Sequence, residues 1–241
     1  MALPKIDSAI FTTTLPSNGN KIKYRPFLVK EEKILMTAQE SKDEDGILDA
    51  VRQLLTNCVV SPKEFDVDSL PMFDIEWLFV KLRAVSVNNV IELKYKDRED
   101  KQSYEFSLDL NELEMTSNPE HTNVIQLTDD GIGITLKYPN INMIKEMELK
   151  EIADAEPTAI QSLEIIKKCI DTIFDEEQVY DQFSEKELDV FLGDMNHKML
   201  EKIQVFFDTM PKLSHEFKYI NKEGNNRSIK LEGMADFFTS G

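Results

Sequence analysis

Histidine and cysteine are scarce in this chain. Three histidines (His121, His197, His215) and two cysteines (Cys58, Cys169) serve 241 residues. The histidines fall in three different elements, and none has a second His or Cys at ligand spacing, which leaves no zinc pattern. The cysteines lie far apart on apolar helix faces and read as buried reduced thiols. No Gly-x-Ser-x-Gly elbow, P-loop or dinucleotide fingerprint is present. Gly131-Ile132-Gly133 leads from one strand into another, whereas a phosphate loop leads into a helix. No apolar run approaches the roughly 18 residues of a membrane span. The start, MALPKIDSAIF, lacks a basic segment followed by an apolar one, so no signal peptide is expected. A protein of a reducing cytoplasm is expected instead.

Basic residues are also under-represented, 28 against 45 acidic, giving a net charge of −17. That field repels nucleic acid and anionic membranes and suits partners with basic surfaces, while also serving plain solubility. With so many carboxylates, no pair can be singled out for acid–base work. Ser41–Gly46 resembles half of an EF-hand loop. With Gly46 in its sixth position, however, Arg52 stands where the bidentate Glu is required, so calcium is not expected. Of the ten methionines, Met195, Met199 and Met210 surround the last long helix, where core packing and an adaptable groove both fit. At 41% hydrophobic residues the chain can bury a core.

Lys21–Glu40 reads as the second strand of a hairpin running into an amphipathic helix. Ile22 and Tyr24 alternate with Lys21, Lys23 and Arg25, and Pro26 ends the strand. Leu28, Ile34, Leu35 and Ala38 then share a helical face, with Glu31 and Glu32 in the first turn, where the helix dipole favours negative charge. Ala9–Leu15 is the first strand of that hairpin, across the turn formers Pro16–Asn20. A second helix spans about Asp45–Cys58 and ends by Ser61-Pro62. A third, capped near Ser69 and Pro71, carries the stripe Met72, Ile75, Phe79, Leu82 and Ser86 with Trp77, Leu78 and Val85 beside it, and is the expected core helix.

Strand alternation recurs at Ile91–Tyr95 and Tyr104–Leu110, with a short helical turn at Asn111–Glu114. It recurs again at Asn123–Thr128 and Ile132–Tyr138 around Asp130-Gly131. Helices are expected at Ile141–Leu149, through Ile160, Leu163, Ile166, Ile170 and Ile173, after the capping box Ser184–Glu187, and from Met199 to Met210. A closing hairpin pairs His215–Ile220 with Arg227–Glu232. Ile91–Tyr95 and His215–Tyr219 echo each other, and convergent hairpin patterning and duplication both account for that.

These elements predict an α+β protein with helices packed on mostly antiparallel strands and hairpins. An N-terminal α+β domain is expected over 1–150, and a smaller helical C-terminal region closed by a β-hairpin over 151–241.

The blocks KIKYRPFLVKEEKILM at 21–36, LPMFDIEWLFVKLRAVSV at 70–87, EHTNVIQLTDD at 120–130 and LEGMADFF at 231–238, with the opening Met-Ala-Leu-Pro-Lys, resemble the base-plate hub assembly proteins of T4-type tailed phages. The resemblance covers nearly the whole chain. It implies non-enzymatic building of the central hub of the base plate, as a chaperone-like assembly factor or hub component. The implied partners are other tail and hub proteins, with no cofactor, nucleic acid or membrane. The implied location is the host cytoplasm during assembly, and the virion base plate if the chain is a retained component and not a helper that leaves. Some relatives carry cysteine pairs in the hairpin turns, like zinc knuckles. Lys96–Gln102 and Ile220–Asn226 contain none, so no metal is carried over.

The expected partner contacts are Pro26, Phe27 and Lys30 at the start of the first long helix, and Met234, Phe237 and Phe238 in the tail, where adjacent phenylalanines need a surface to bury them. Docking of that tail onto its own domain is the alternative. Three other readings stand beside the assembly factor: a permanent structural protein of the base plate, an uncharacterised hydrolase, which needs convergent His, Asp or Ser groups, and an acidic mimic of nucleic acid, which needs carboxylates arrayed on one face.

Overall fold

The computed structural model describes residues 7–41, 44–146 and 159–233. Up to Thr116 the chain runs β1 (Phe11–Thr14), β2 (Lys21–Tyr24), α1 (Val29–Ser41), α2 (Glu44–Cys58), β3 (Val59–Ser61), a 3-10 turn (Val67–Ser69), α3 (Met72–Ser86), β4 (Val90–Lys96), β5 (Ser103–Asp109) and β6 (Met115–Thr116). Then follow β7 (Val124–Gln126), β8 (Gly133–Leu136), α4 (Ile141–Glu146), α5 (Ala159–Cys169), β9 (Ile170–Phe174), β10 (Val179–Tyr180), α6 (Glu185–Gly193) and α7 (His197–Thr209). The strands β11 (Lys212–Ile220) and β12 (Asn226–Glu232) close the described chain. The fold is α+β, and its paired strands are antiparallel.

Contacts gather the chain into two units, residues through Thr116 with those from Pro211 onward, and Ser117–Met210. The expected boundary at residue 150 falls outside the described residues, yet β8 before it and β9 after it pair in one sheet, Ile134 opposite Ile173. The closing hairpin returns to the first unit.

In the first unit, α3 is the axis. Phe73, Ile75, Leu78, Phe79, Val80 and Leu82 are buried along it, more of its girth than one stripe needs. It is capped differently from the sequence expectation: Pro71 precedes it without a side-chain cap, and Ser69 belongs to the 3-10 turn, which Asp66 caps. Asp74, fully buried, accepts hydrogen bonds from the backbone N–H of Ser17 at 3.0 Å and from its hydroxyl. Burial raises the Asp74 pKa, against the lowering effect of those two bonds. Trp77 donates from Nε1 to Thr13 Oγ1 at 3.1 Å. The first hairpin is thus tied to α3 by its loop and by β1. β2 pairs β1 on one side and β3 on the other, in the order β1-β2-β3. β3 was not expected: it is a three-residue strand directly after a helix, too short to show a period. Asn111–Glu114 is a turn and not a helix, since Asp109 Oδ1 accepts from the backbone N–H of Asn111 at 2.9 Å.

The two echoing hairpins lie face to face. Tyr104 and Tyr219 have ring centroids 4.6 Å apart, and Phe106 and Phe217 5.0 Å. Val80 of α3 joins Ile91, Leu108, Leu213 and Leu231 in the core beneath. At the far end the turns interlock. Asp97, with no solvent exposure, accepts from the N–H groups of Glu99 and Asp100 on Oδ1 and from the Tyr219 hydroxyl on Oδ2, with Arg227 Nε 3.4 Å away. Glu99 accepts from Asn221 Nδ2 at 2.7 Å and Asn225 Nδ2 at 2.9 Å, and Lys222 N–H donates to Asp100 Oδ2 at 2.9 Å. A buried carboxylate saturated with donors stays charged, and the Tyr219 bond, outweighing burial, holds Asp97 below the usual aspartate range. Burial and the facing carboxylate push Tyr219 up to about 12.

In the second unit the sheet order is β10-β9-β8-β7. Ile134, Leu136, Ile166, Ile170, Ile203 and Phe206 lie at the centre of its core. Ile170 and Ile173 were expected to continue a helix. Instead α5 ends at Cys169, and the β-branched run Ile170-Asp-Thr-Ile173 pairs with β8, with Thr172 and Thr135 hydroxyls in contact. The glycines of Gly131-Ile132-Gly133 serve geometry. Gly131 has φ 95°, and a Cβ at Gly133 would run into the Phe174 ring and lie 2.7 Å from the Ile125 carbonyl oxygen. Ser184 and Glu187 form the expected capping box.

Because the Asp97 pKa is depressed on folding, its contribution to stability is present above the ordinary aspartate value of about 4 and is lost as pH falls through the lower folded value. Urea midpoints of the wild type and Asp97→Asn should therefore differ by a constant amount from pH 5 to 8 and converge below about pH 4. A gap that persists unchanged at pH 3 would show that Asp97 is not charged in the folded state.

Candidate partner-binding surface

The start of α1 is held in place from below. Arg25, at the end of β2, donates from Nη1 to the Pro26 carbonyl at 2.9 Å and lies 3.7 Å from Cys58 Sγ. Its Nη2 donates to the Asn57 carbonyl and to Glu31 Oε1, both at 3.0 Å. Glu31 is 1% exposed and returns along the helix to accept the Leu28 N–H on Oε2 at 2.7 Å, capping α1 from its own first turn. Burial alone would raise the Glu31 pKa, but the bonds from Arg25 and Leu28 outweigh it and hold the carboxyl below the usual glutamate range. Phe27 N–H donates to Ser86 Oγ at 3.0 Å, which fixes the turn to the end of α3.

This geometry separates the residues expected to meet a partner. Phe27 is 9% exposed and packs into its own unit. Pro26 is half-buried, and the Lys30 side chain is 73% exposed, with its Nζ 3.4 Å from Glu31. Beside Lys30 the structure exposes Leu28 and Val29, the latter 68% exposed, and a further helical face carries Lys33 and Met36. Sequence periodicity had put Leu28 on the buried face. Leu28 lies just before α1, where the helical period does not yet apply, and its backbone bonds with Glu31 are what hold it there. Met234, Phe237 and Phe238 lie outside the described residues.

The histidines are dispersed. His121 Nδ1 lies 2.8 Å from Thr209 Oγ1 and Nε2 2.8 Å from the Tyr138 hydroxyl, and burial lowers its pKa. His197 is an exposed neighbour of Glu201, and His215 meets the Phe217 ring edge-on. Cys58 and Cys169 are buried free thiols, pushed by burial up to about 11 and about 12. Among the described residues no group of three or more His, Cys, Asp or Glu is placed to hold a metal ion, and no helix is long and apolar enough to cross a membrane. Ser41–Gly46 lies partly outside the described residues.

A family model described as T4 bacteriophage base plate protein matches residues 8–239. No curated protein and no solved structure matches.

Arg25 and Lys30 should part experimentally. Removing one partner of a buried ion pair strands the other, so Arg25→Ala is expected to cost about 3 kcal/mol in urea unfolding. Lys30→Glu, at an exposed position, should change stability by less than about 1 kcal/mol. Equal losses for the two would show that Lys30 is also part of the structural lock.

Proposed function

Because the chain belongs to the T4 bacteriophage base plate protein family, we propose that it is a non-enzymatic assembly factor of the base-plate hub, acting by protein–protein contact on other tail proteins. Membership in such a family suggests a structural protein located in the virion rather than an enzyme. The finer role, chaperone-like action or hub building from the host cytoplasm, is our reading. The observation that carries it is the family match over nearly the whole chain. The surface at the start of α1 supports it. Leu28, Val29 and Lys30 are exposed on a turn that Arg25, Glu31 and Phe27 hold rigid, so little order is lost when a partner binds there. Phe27 acts as the anchor of that surface, with Pro26 shaping it. Met234, Phe237 and Phe238 supply a second contact in the tail.

A permanent structural role in the base plate follows from the same family description and differs in one observable, retention in the finished particle. Co-expression with the other tail proteins should yield a stable co-purifying complex, and Lys30→Glu or Val29→Asp should weaken it about tenfold while leaving folding intact. Failure to associate with any tail protein would overturn the proposal. Presence of the chain in purified virions would assign it to the permanent component, and absence to the helper.

A further inference from the structure

Charge is unevenly spread along the chain. Ser117–Met210 carries 20 acidic against 8 basic residues, twelve of the seventeen excess negative charges. Between Lys168 and Lys186 there are six carboxylates and no basic residue. Within that stretch lies β10, the outermost strand of the four-stranded sheet. Among the described residues it pairs only with β9, Val179 opposite Phe174 and Tyr180 opposite Ile173. Its other edge has no strand against it among the described residues. Every residue from Glu176 to Gln182 is exposed, Val179 at 64% and Tyr180 at 40%.

The strand is nevertheless rigidly presented. Asp175 Oδ1 accepts from the N–H groups of Glu177 and Gln178 at 2.8 and 2.9 Å, its own N–H donates to the Gln178 carbonyl at 3.0 Å, and its Oδ2 accepts from the Tyr180 hydroxyl at 2.8 Å. The Asp175 carboxylate is therefore committed to the turn. Glu176, Glu177 and Asp181 make no ion pair among the described residues. A free strand edge with apolar side chains is a template for an added strand. A second copy of a chain with net charge −17 is repelled from it, while a positively charged strand is attracted.

We infer that the free edge of β10 docks an extended, lysine- or arginine-bearing segment of another protein as an added strand, the backbone supplying the hydrogen bonds and Glu176, Glu177 and Asp181 the charge match. The inference rests on the base-plate reading only for the source of the partner. The competing role for such carboxylates is to keep strands away from the edge.

The test uses the full chain and a short synthetic peptide alternating lysine and valine. Its binding should slow amide hydrogen exchange within Glu176–Gln182. The double variant Glu177→Lys, Asp181→Lys should weaken binding about tenfold, and so should N-methylation of alternate peptide amides, which removes strand pairing without changing charge. The N-methylated control needs no change to the protein and so does not depend on how the variant folds. Equal binding of the N-methylated peptide, absence of protection at Glu176–Gln182, or self-association of the chain through this edge would overturn the inference. A chain that joins tail proteins but ignores the peptide loses only this inference. One that binds the peptide but no tail protein loses the assembly role instead.

Discussion

The ion pair between Arg25 and Glu31 is the constraint on which the described beginning of the chain depends. One guanidinium collects the Pro26 and Asn57 carbonyls and the Glu31 carboxylate. In doing so it joins the end of β2, the start of α1 and the end of α2. Burying Glu31 would be costly without that partner. The second carboxylate oxygen is spent on the Leu28 N–H, so the charge and the helix end satisfy each other. The same contact fixes the turn beside an exposed surface. Leu28, Val29 and Lys30 are exposed beside that hydrogen-bonded turn, while Phe27 is buried.

A second buried carboxylate, Asp97, organises the other end of the first unit in the same manner. It terminates its own hairpin through two backbone N–H groups and takes the Tyr219 hydroxyl from the facing hairpin. Beside the aromatic contacts between the faces, the interlocked polar turns join the two hairpins through directional bonds. The echo between Ile91–Tyr95 and His215–Tyr219 thus has a spatial counterpart: two hairpins of like pattern packed against each other.

The contacts proposed for this protein draw on hydrogen-bonded backbone and charge. The histidines and cysteines are spread among aromatic contacts, hydroxyl partners, an exposed helix position beside Glu201 and the two cores. The exposed groups proposed for contact are apolar side chains beside charges of one sign: Val29 with Lys30 in one unit, and Val179 and Tyr180 among carboxylates in the other. Surfaces of that kind gain specificity and encounter rate from electrostatics, and affinity from a few apolar anchors. Membership in a base-plate family accords with that balance.

Much of the architecture is legible in residue order, because its determinants are local. The hairpins at Phe11–Tyr24, Val90–Asp109 and Lys212–Glu232 follow from period-2 alternation around turn formers. Helix α2 follows from its apolar spacing, and α6 from the Ser184–Glu187 capping box. What residue order leaves undecided is where non-local partners compete. Ile166, Ile170 and Ile173 fit one helical face, but β8 offers Ile170 and Ile173 a strand partner, and their β-branched neighbours accept it. β3 and β10 are too short to show a period and exist because β2 and β9 present open edges. Phe27 and Lys30 are near neighbours in sequence, yet the first is buried, with its N–H bonded to Ser86 of α3, and the second stands in water. Composition and local pattern determined the class of fold, the turns and the sign of the charge. Only tertiary structure decided which side chains remain exposed, because burial depends on neighbours distant in the chain.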